Sequence, residues 1–183
     1  MDSKKILIVG LGNPGNTYKS TRHNIGFRII EELASKNQVT FDGDKKCSTS
    51  KYHSNDVVVY LLKPLEFMNL SGACTQKTSN KFKILPEDIL VIHDEIDFPF
   101  GKIKLKFSGG HAGHNGLRSI IENMGTNSFH RLRYGVGRPI QPTISVSDYV
   151  LSSFTKEEET EISNLMNSCL LSIQNWIYER TKG

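Results

Sequence analysis

Ile6 to Val9 is a continuous apolar run closed by Gly10, with no residue suited to face water. Such a run predicts a strand buried on both sides. Ile89–Ile92 repeats the pattern after Pro86-Glu87-Asp88, and Val57–Leu62 is a third, β-branched example ended by Pro64. Helical periodicity lies between and after these runs. A helix over Asn24–Lys36 puts Ile25, Ile29, Ile30 and Leu33 on its inner face. A second is expected over Asn115–Met124. The last is the clearest: Ile162, Leu165, Met166, Cys169, Leu170, Ile173, Trp176 and Ile177 fall at helical spacing, with Thr155 and Glu158 as a capping box. Lys102–Phe107 alternates lysines with apolar residues, and Arg131–Val136 reads as a further strand. Strands alternating with helices predict an α/β fold: a single three-layer domain over residues 1–183, with a mixed, mainly parallel central sheet flanked by helices. Some antiparallel pairing is expected, because the loop from Ile89–Ile92 to Lys102–Phe107 is too short for a helical crossover.

The 37% apolar and 23% charged content is ordinary for a globular chain. A net charge of +4 does not by itself indicate nucleic-acid binding, although a local cluster can bind phosphate. Cys47, Cys74 and Cys169 are far apart and odd in number, without a CxxC. That argues against a disulfide framework or a zinc knuckle and fits a reducing compartment. The run after Lys4-Lys5 is too short for a signal core or membrane span, so a cytoplasmic protein is expected.

Gly10-Leu11-Gly12-Asn13-Pro14-Gly15 matches GxGxxG after a strand. A dinucleotide site also needs a helix opening inside the motif and an acid on a second strand. Asn16–Arg22 has no apolar period, and Asp42 follows only Val39-Thr40-Phe41. A tight turn explains the glycines but not Asn13. In open α/β sheets the site lies at the carboxyl ends of the strands. Asn13, Asp94 and the group His111, His114 and Asn115 all fall there. Thr21-Arg22-His23-Asn24 puts a histidine at a loop-to-helix junction, where it is either a cap or a base. His93-Asp94-Glu95-Ile96-Asp97 ends a buried strand with a carboxylate able to orient an imidazole, or with solvated turn acids. Asn69, in Phe67-Met68-Asn69-Leu70-Ser71-Gly72, reads equally as a cap. Ser108–Gly116 is a glycine-rich loop entering a helix, suited to an anion or a carbonyl oxygen.

His93, Asp94, His111 and His114 raise a metal reading, but HxxH in a glycine loop lacks the helical geometry of HExxH, and no thiolate joins it. No serine elbow or cysteine signature supplies a nucleophile, so water activated by a histidine is the expected attacker. Lys102, Lys104 and Lys106 share one strand face, and Arg131 and Arg133 share another. Such stripes are either solvated faces or a phosphate clamp.

In order and spacing these strings, with Phe129-His130-Arg131-Leu132-Arg133, closely resemble the bacterial-type peptidyl-tRNA hydrolase family. The resemblance implies a monomeric esterase, independent of metal and cofactor, that cleaves the ester of peptidyl-tRNA with water. It implies His23 as general base and Asp94 as the carboxylate orienting it. Asn13, Asn69 and Asn115 match the family's active-site asparagines. Tyr18, Met68 and Gly113 match its peptide channel, and Lys104, Lys106 and Arg133 its tRNA phosphate contacts. Ser108 and Ala112 stand where many relatives have glycine, which adds bulk and stiffness to that loop. A non-catalytic RNA-binding protein on the same scaffold is the alternative, because fold alone does not secure activity.

Overall fold

Alternate residues of the first strand, β1 (Lys4–Gly10), enter opposite cores: Ile6 and Ile8 one, Leu7 and Val9 the other. This is why the run is apolar throughout. The computed structural model, which describes residues 2–182, continues with α1 (Ile25–Lys36), β2 (Asp42–Gly43), β3 (Cys47–Ser54), β4 (Val57–Pro64), α2 (Ser71–Phe82) and β5 (Ile89–Glu95). It ends with β6 (Ile103–Phe107), α3 (Asn115–Met124), β7 (His130–Gly135), α4 (Val146–Val150) and α5 (Lys156–Thr181). The strands form one seven-stranded sheet in the order β2-β3-β4-β1-β5-β7-β6.

β4, β1, β5 and β7 are mutually parallel, and both edges are antiparallel. The antiparallel partner of β6 is β7, which lies between β6 and β5, so β6 does not pair with the strand before it. In β4 and β5, as in β1, odd and even residues divide between the two cores. Each fully buried aliphatic side chain contributes about 1.5–3 kcal/mol. α1 and α5 cover one face, and α2 and α3 the other. The chain leaves β1 through α1 toward β4, then returns through α2 to β5 on the far side of β1. Right-handed crossovers in opposite directions place their helices on opposite faces and open a crevice where the strand order reverses.

The glycines of the dinucleotide-like motif serve packing. A Cβ on Gly10 would meet Gly26 O and Ile30 Cγ2, both at 2.5 Å, and one on Gly12 would meet the Phe27 ring at 2.5 Å. They let α1 lie directly on the turn leaving β1. The Thr155–Glu158 capping box forms as the sequence predicts. The cysteines depart from expectation: Cys47 and Cys74 are disulfide-bonded, with Cα atoms 5.7 Å apart. The β3–β4 hairpin folds back on itself and brings the start of β3 to α2, a proximity their spacing conceals. Among the described residues no helix is long and apolar enough to cross a membrane.

Gly26 of α1 is packed more tightly than either motif glycine, since a Cβ there would lie 2.4 Å from Ile92 O and 2.6 Å from Leu11 N. Backbone on both sides cannot move aside. Gly26→Ala is expected to cost about 3 kcal/mol by overpacking, read as a lower urea midpoint; an unchanged midpoint would refute this account of the motif.

Candidate active site

The ends of β1, β4 and β5 converge on a cleft of ≈ 840 Å³ lined by Asn13, His23, Met68, Asn69, Asp94, Gly113 and Asn115, with Phe67, His114, Val146, Ser147, Val150 and Leu151 among its walls. His23 stands in a 3₁₀ turn, Arg22–Asn24, immediately before α1. Arg22, 6% exposed, fixes that turn from below. Its guanidinium donates to Glu158 Oε1 at 2.6 Å, to Ser152 Oγ at 2.6 Å and to Ser153 O at 2.8 Å. Asn24 donates to Asn13 O at 2.9 Å and accepts from Asn13 N–H at 2.8 Å. The loop after β1 is thereby locked to the base.

Asp94, near the end of β5 and 3% exposed, meets His23 Nδ1 with both oxygens, at 3.0 and 2.9 Å. Its Oδ1 also meets His114 Nε2 at 2.8 Å. The protons follow from the remaining contacts. His114 Nδ1 accepts the N–H groups of Gly116 at 3.1 Å and Leu117 at 3.3 Å, capping α3. Its proton is therefore on Nε2 and is donated to Asp94. His23 Nδ1–H donates to the same carboxylate, which leaves Nε2 as a free lone pair in the cleft. Burial opposes charge on His23, but the Asp94 charge and hydrogen bond outweigh it and raise its pKa above 6.5. Burial pushes Asp94 up, yet the two imidazoles hold its carboxyl well below the usual range. His93 is buried beside them, with Nδ1 donating to Asp94 O at 2.8 Å, and burial pushes it down to about 3.

The metal set considered from sequence is not assembled. His93 donates Nδ1–H to a backbone carbonyl and His111 Nδ1 accepts from Gly113 N–H at 3.0 Å, and among the described residues neither joins the ligand atoms gathered at Asp94. His23, Asp94 and His114 do place ligand atoms within 4.8 Å of one another. To coordinate through Nε2, however, His114 would need its proton on Nδ1, where two backbone N–H groups already point. The donor set fits a hydrogen-bonded array better than a cation.

Asn13 Oδ1 accepts from Met68 N–H at 2.7 Å, and its Nδ2 makes no hydrogen bond with the described residues. Asn13 is therefore an oriented amide donor at the cleft floor. Asn69 and Asn115 are exposed at the rim. Tyr18 does not line the cleft; it touches Phe67 edge-on at 6.2 Å. The basic residues share the sheet face that carries α2 and α3: Lys104 pairs across the strands with Arg133, and Lys106 with Arg131. Arg131, grouped from sequence with the clamp, is 2% exposed and holds the carbonyls of Gly109 and Gly110 instead. Arg133 lies over the Phe98 ring at 4.6 Å and 3.8 Å from Glu95.

Sequence reasoning gave no role in orienting the base to His114, Asn24 or Arg22. The Asn24 signal lay in the Thr21–Asn24 string, and the His114 signal in its position one residue before α3. The walls from α4 carry no sequence signal of their own.

Ser108 and Ala112 adopt left-handed backbone, with φ of 64° and 48°. That conformation strains a side chain by about 1–2 kcal/mol, partly offset in a glycine by its greater chain freedom when unfolded. Ala112→Gly is expected to gain about 0.5–1 kcal/mol, seen as a higher urea midpoint at unchanged slope. A lower midpoint would mean that the loop carries no such strain.

Comparison with known proteins agrees with this geometry. The family model described as peptidyl-tRNA hydrolase matches residues 7–182. The peptidyl-tRNA hydrolase of Oceanobacillus iheyensis is 44% identical over 176 residues, covering 93% of this chain and 91% of that protein. That of Bacillus subtilis is 43% identical over 165 residues, covering 88% and 86%. The crystal structure of peptidyl-tRNA hydrolase from Acinetobacter baumannii matches with a TM-score of 0.89 at 38% identity, covering 100% of this chain and 93% of that one.

Proposed function

Because this chain belongs to the peptidyl-tRNA hydrolase family, we propose that its hydrolysis of peptidyl-tRNA runs through His23, Asp94 and a water held between His23 and the ester. The observation that carries the reading is the pair of contacts from Asp94 to His23 Nδ1, which leave Nε2 unprotonated and facing the cleft. The substrate ester joins a peptide carboxyl to a ribose hydroxyl. His23 Nε2 takes a proton from water as the oxygen attacks the carbonyl carbon. Asp94 stabilises the imidazolium that forms, and His114 keeps Asp94 in place. Negative charge gathers on the carbonyl oxygen, toward which the free amide of Asn13 is the best oriented donor. Asn69 and Asn115 stand at the rim to hold the peptide or the water. The imidazolium then returns its proton to the departing ribose oxygen.

Met68 and Gly113 line the path of the peptide, with Tyr18 one step back behind Phe67. Lys104, Lys106 and Arg133 hold tRNA phosphates on the neighbouring sheet face. Binding to RNA without catalysis has no observation in its favour, since it requires neither a buried carboxylate nor a base with a free lone pair.

The test is release of peptide from an N-blocked aminoacyl-tRNA in the presence of a chelator. His23→Ala is expected to lose about 10²–10⁴-fold in rate while remaining folded. In the parent, kcat/KM should rise with pH through an apparent pKa above 6.5, because the base works unprotonated and its pKa is raised. Asp94→Asn should lower turnover and move that limb to lower pH. An undiminished His23→Ala variant would show that another residue is the base. Neutralising Lys104, Lys106 and Arg133 together should reduce the salt slope of tRNA binding by about 0.7–0.9 for each phosphate left without its cation; an unchanged slope would remove the clamp.

A further inference from the structure

Cys47 opens β3 and Cys74 stands in the first turns of α2, so two sulfurs that the fold joins lie 27 positions apart in sequence. The Cα separation of 5.7 Å is one at which disulfides form without backbone movement. When reduced, the Cys74 thiol is placed to donate to Lys46 O, 3.2 Å from its Sγ. Neither cysteine lines the cleft. The turn that does, Met68–Leu70, is held separately by the bond from Met68 N–H to Asn13 Oδ1 at 2.7 Å. The third cysteine, Cys169, is fully buried in the opposite core, where burial pushes its thiol up to about 12.

We propose that Cys47 and Cys74 are a reversible thiol–disulfide couple, an oxidation site for peroxides, that staples the β2–β3 edge to α2 while leaving the cleft unchanged. In a reducing compartment a disulfide of this kind is transient and responds to oxidant. Cys47 is half-buried and Cys74 is 5% exposed, so the Cys47 sulfur meets the oxidant first. It attacks one peroxide oxygen. The O–O bond breaks, sulfur becomes a sulfenic acid, and the other oxygen leaves as water after taking up a proton. The Cys74 sulfur then attacks the Cys47 sulfur, forming the S–S bond. The sulfenic hydroxyl leaves as a second water with the proton from Cys74. Two thiols lose two electrons in total, and one peroxide becomes two waters. A dithiol reverses the step by thiol–disulfide exchange. Because the backbone already places both sulfurs, neither direction has to move Met68 or Asn69.

The experiment uses the full chain, with hydrogen peroxide as oxidant and dithiothreitol as reductant. Each sample is denatured in N-ethylmaleimide and its intact mass measured. Reduced protein should take up three maleimides, one for each cysteine of the sequence, and peroxide-treated protein only one. A proteolytic cross-link should join the Cys47 and Cys74 peptides. Oxidation should raise the Tm by about 5–10 °C, as expected for closing a loop of this length in a protein of this size. The initial rate of peptide release should be the same in both states. Cys169→Ser should retain the Tm rise, and Cys47→Ser and Cys74→Ser should lose it. Uptake of three maleimides after peroxide, sulfinic acid on Cys47 in place of the cross-link, or disulfide-linked dimers would each overturn the couple. A fall in rate on oxidation would overturn the separation of the staple from the cleft.

Discussion

The negative charge of Asp94 organises the site. Burying an ionised carboxylate costs several kcal/mol unless it is paired and hydrogen-bonded. Here its partners are His23, 71 residues earlier, and His114, 20 residues later. One charge thus holds the end of β5, the turn before α1 and the loop before α3 in a single arrangement. Each histidine is fixed in tautomer by what its other nitrogen does. His114 spends Nδ1 on the cap of α3, so it can only donate to the carboxylate. His23 has no such obligation and keeps a lone pair. Two chemically identical side chains on one carboxylate therefore have different capacities, and only one can act as a base.

The parts of the fold legible in the sequence are those where burial dictates every residue. β1, β4 and β5 are covered on both faces, so their apolar runs are continuous; α1 and α5 bury one stripe, so theirs are periodic. β3 and α2 escape that logic. β3, Cys-Ser-Thr-Ser-Lys-Tyr-His-Ser, lies near the edge of the sheet with only Tyr52 buried. It has no apolar alternation to read. α2 buries Ser71, Gly72, Cys74, Thr75, Thr78 and Ser79, a face of small and polar residues packed closely against α3. A Cβ on Gly72 would lie 2.0 Å from Ser119 O, so the contact depends on small size and hydrogen bonds in place of apolar area. The pairing of β6 with β7 was hidden because it depends on a strand that comes later in the chain.

The site divides in the same way. His23, Asp94 and Asn13 stand out because they follow strand ends or open a helix inside short recognisable strings, and the structure brings His23 and Asp94 into contact. What the strings cannot encode is direction. Arg131 and Arg133 share a strand face, yet one guanidinium turns inward to two carbonyls of the glycine loop while the other lies over Phe98. Lys106 and Arg131 are cross-strand neighbours with opposite fates, one exposed and one at 2% exposure. The difference follows from the two loop carbonyls that Arg131 holds, which is a tertiary property.

The anchor of the His23 turn has a consequence for how the protein is made. Arg22 bonds Ser152 and Ser153, and it bonds Glu158, 136 residues further along the chain. A ribosome adding roughly 5–20 residues per second delivers that glutamate on the order of ten seconds after the arginine. Over that interval the strands and helices that bury the core emerge in turn, while the segment bearing the base lacks its tether. Synthesis is vectorial, so the anchor of a base near the N-terminus is among the last contacts to be made. A ribosome stalled before α5 would leave a chain with all seven strands and the Asp94 contact to the base, but with the His23 turn missing its Glu158 anchor.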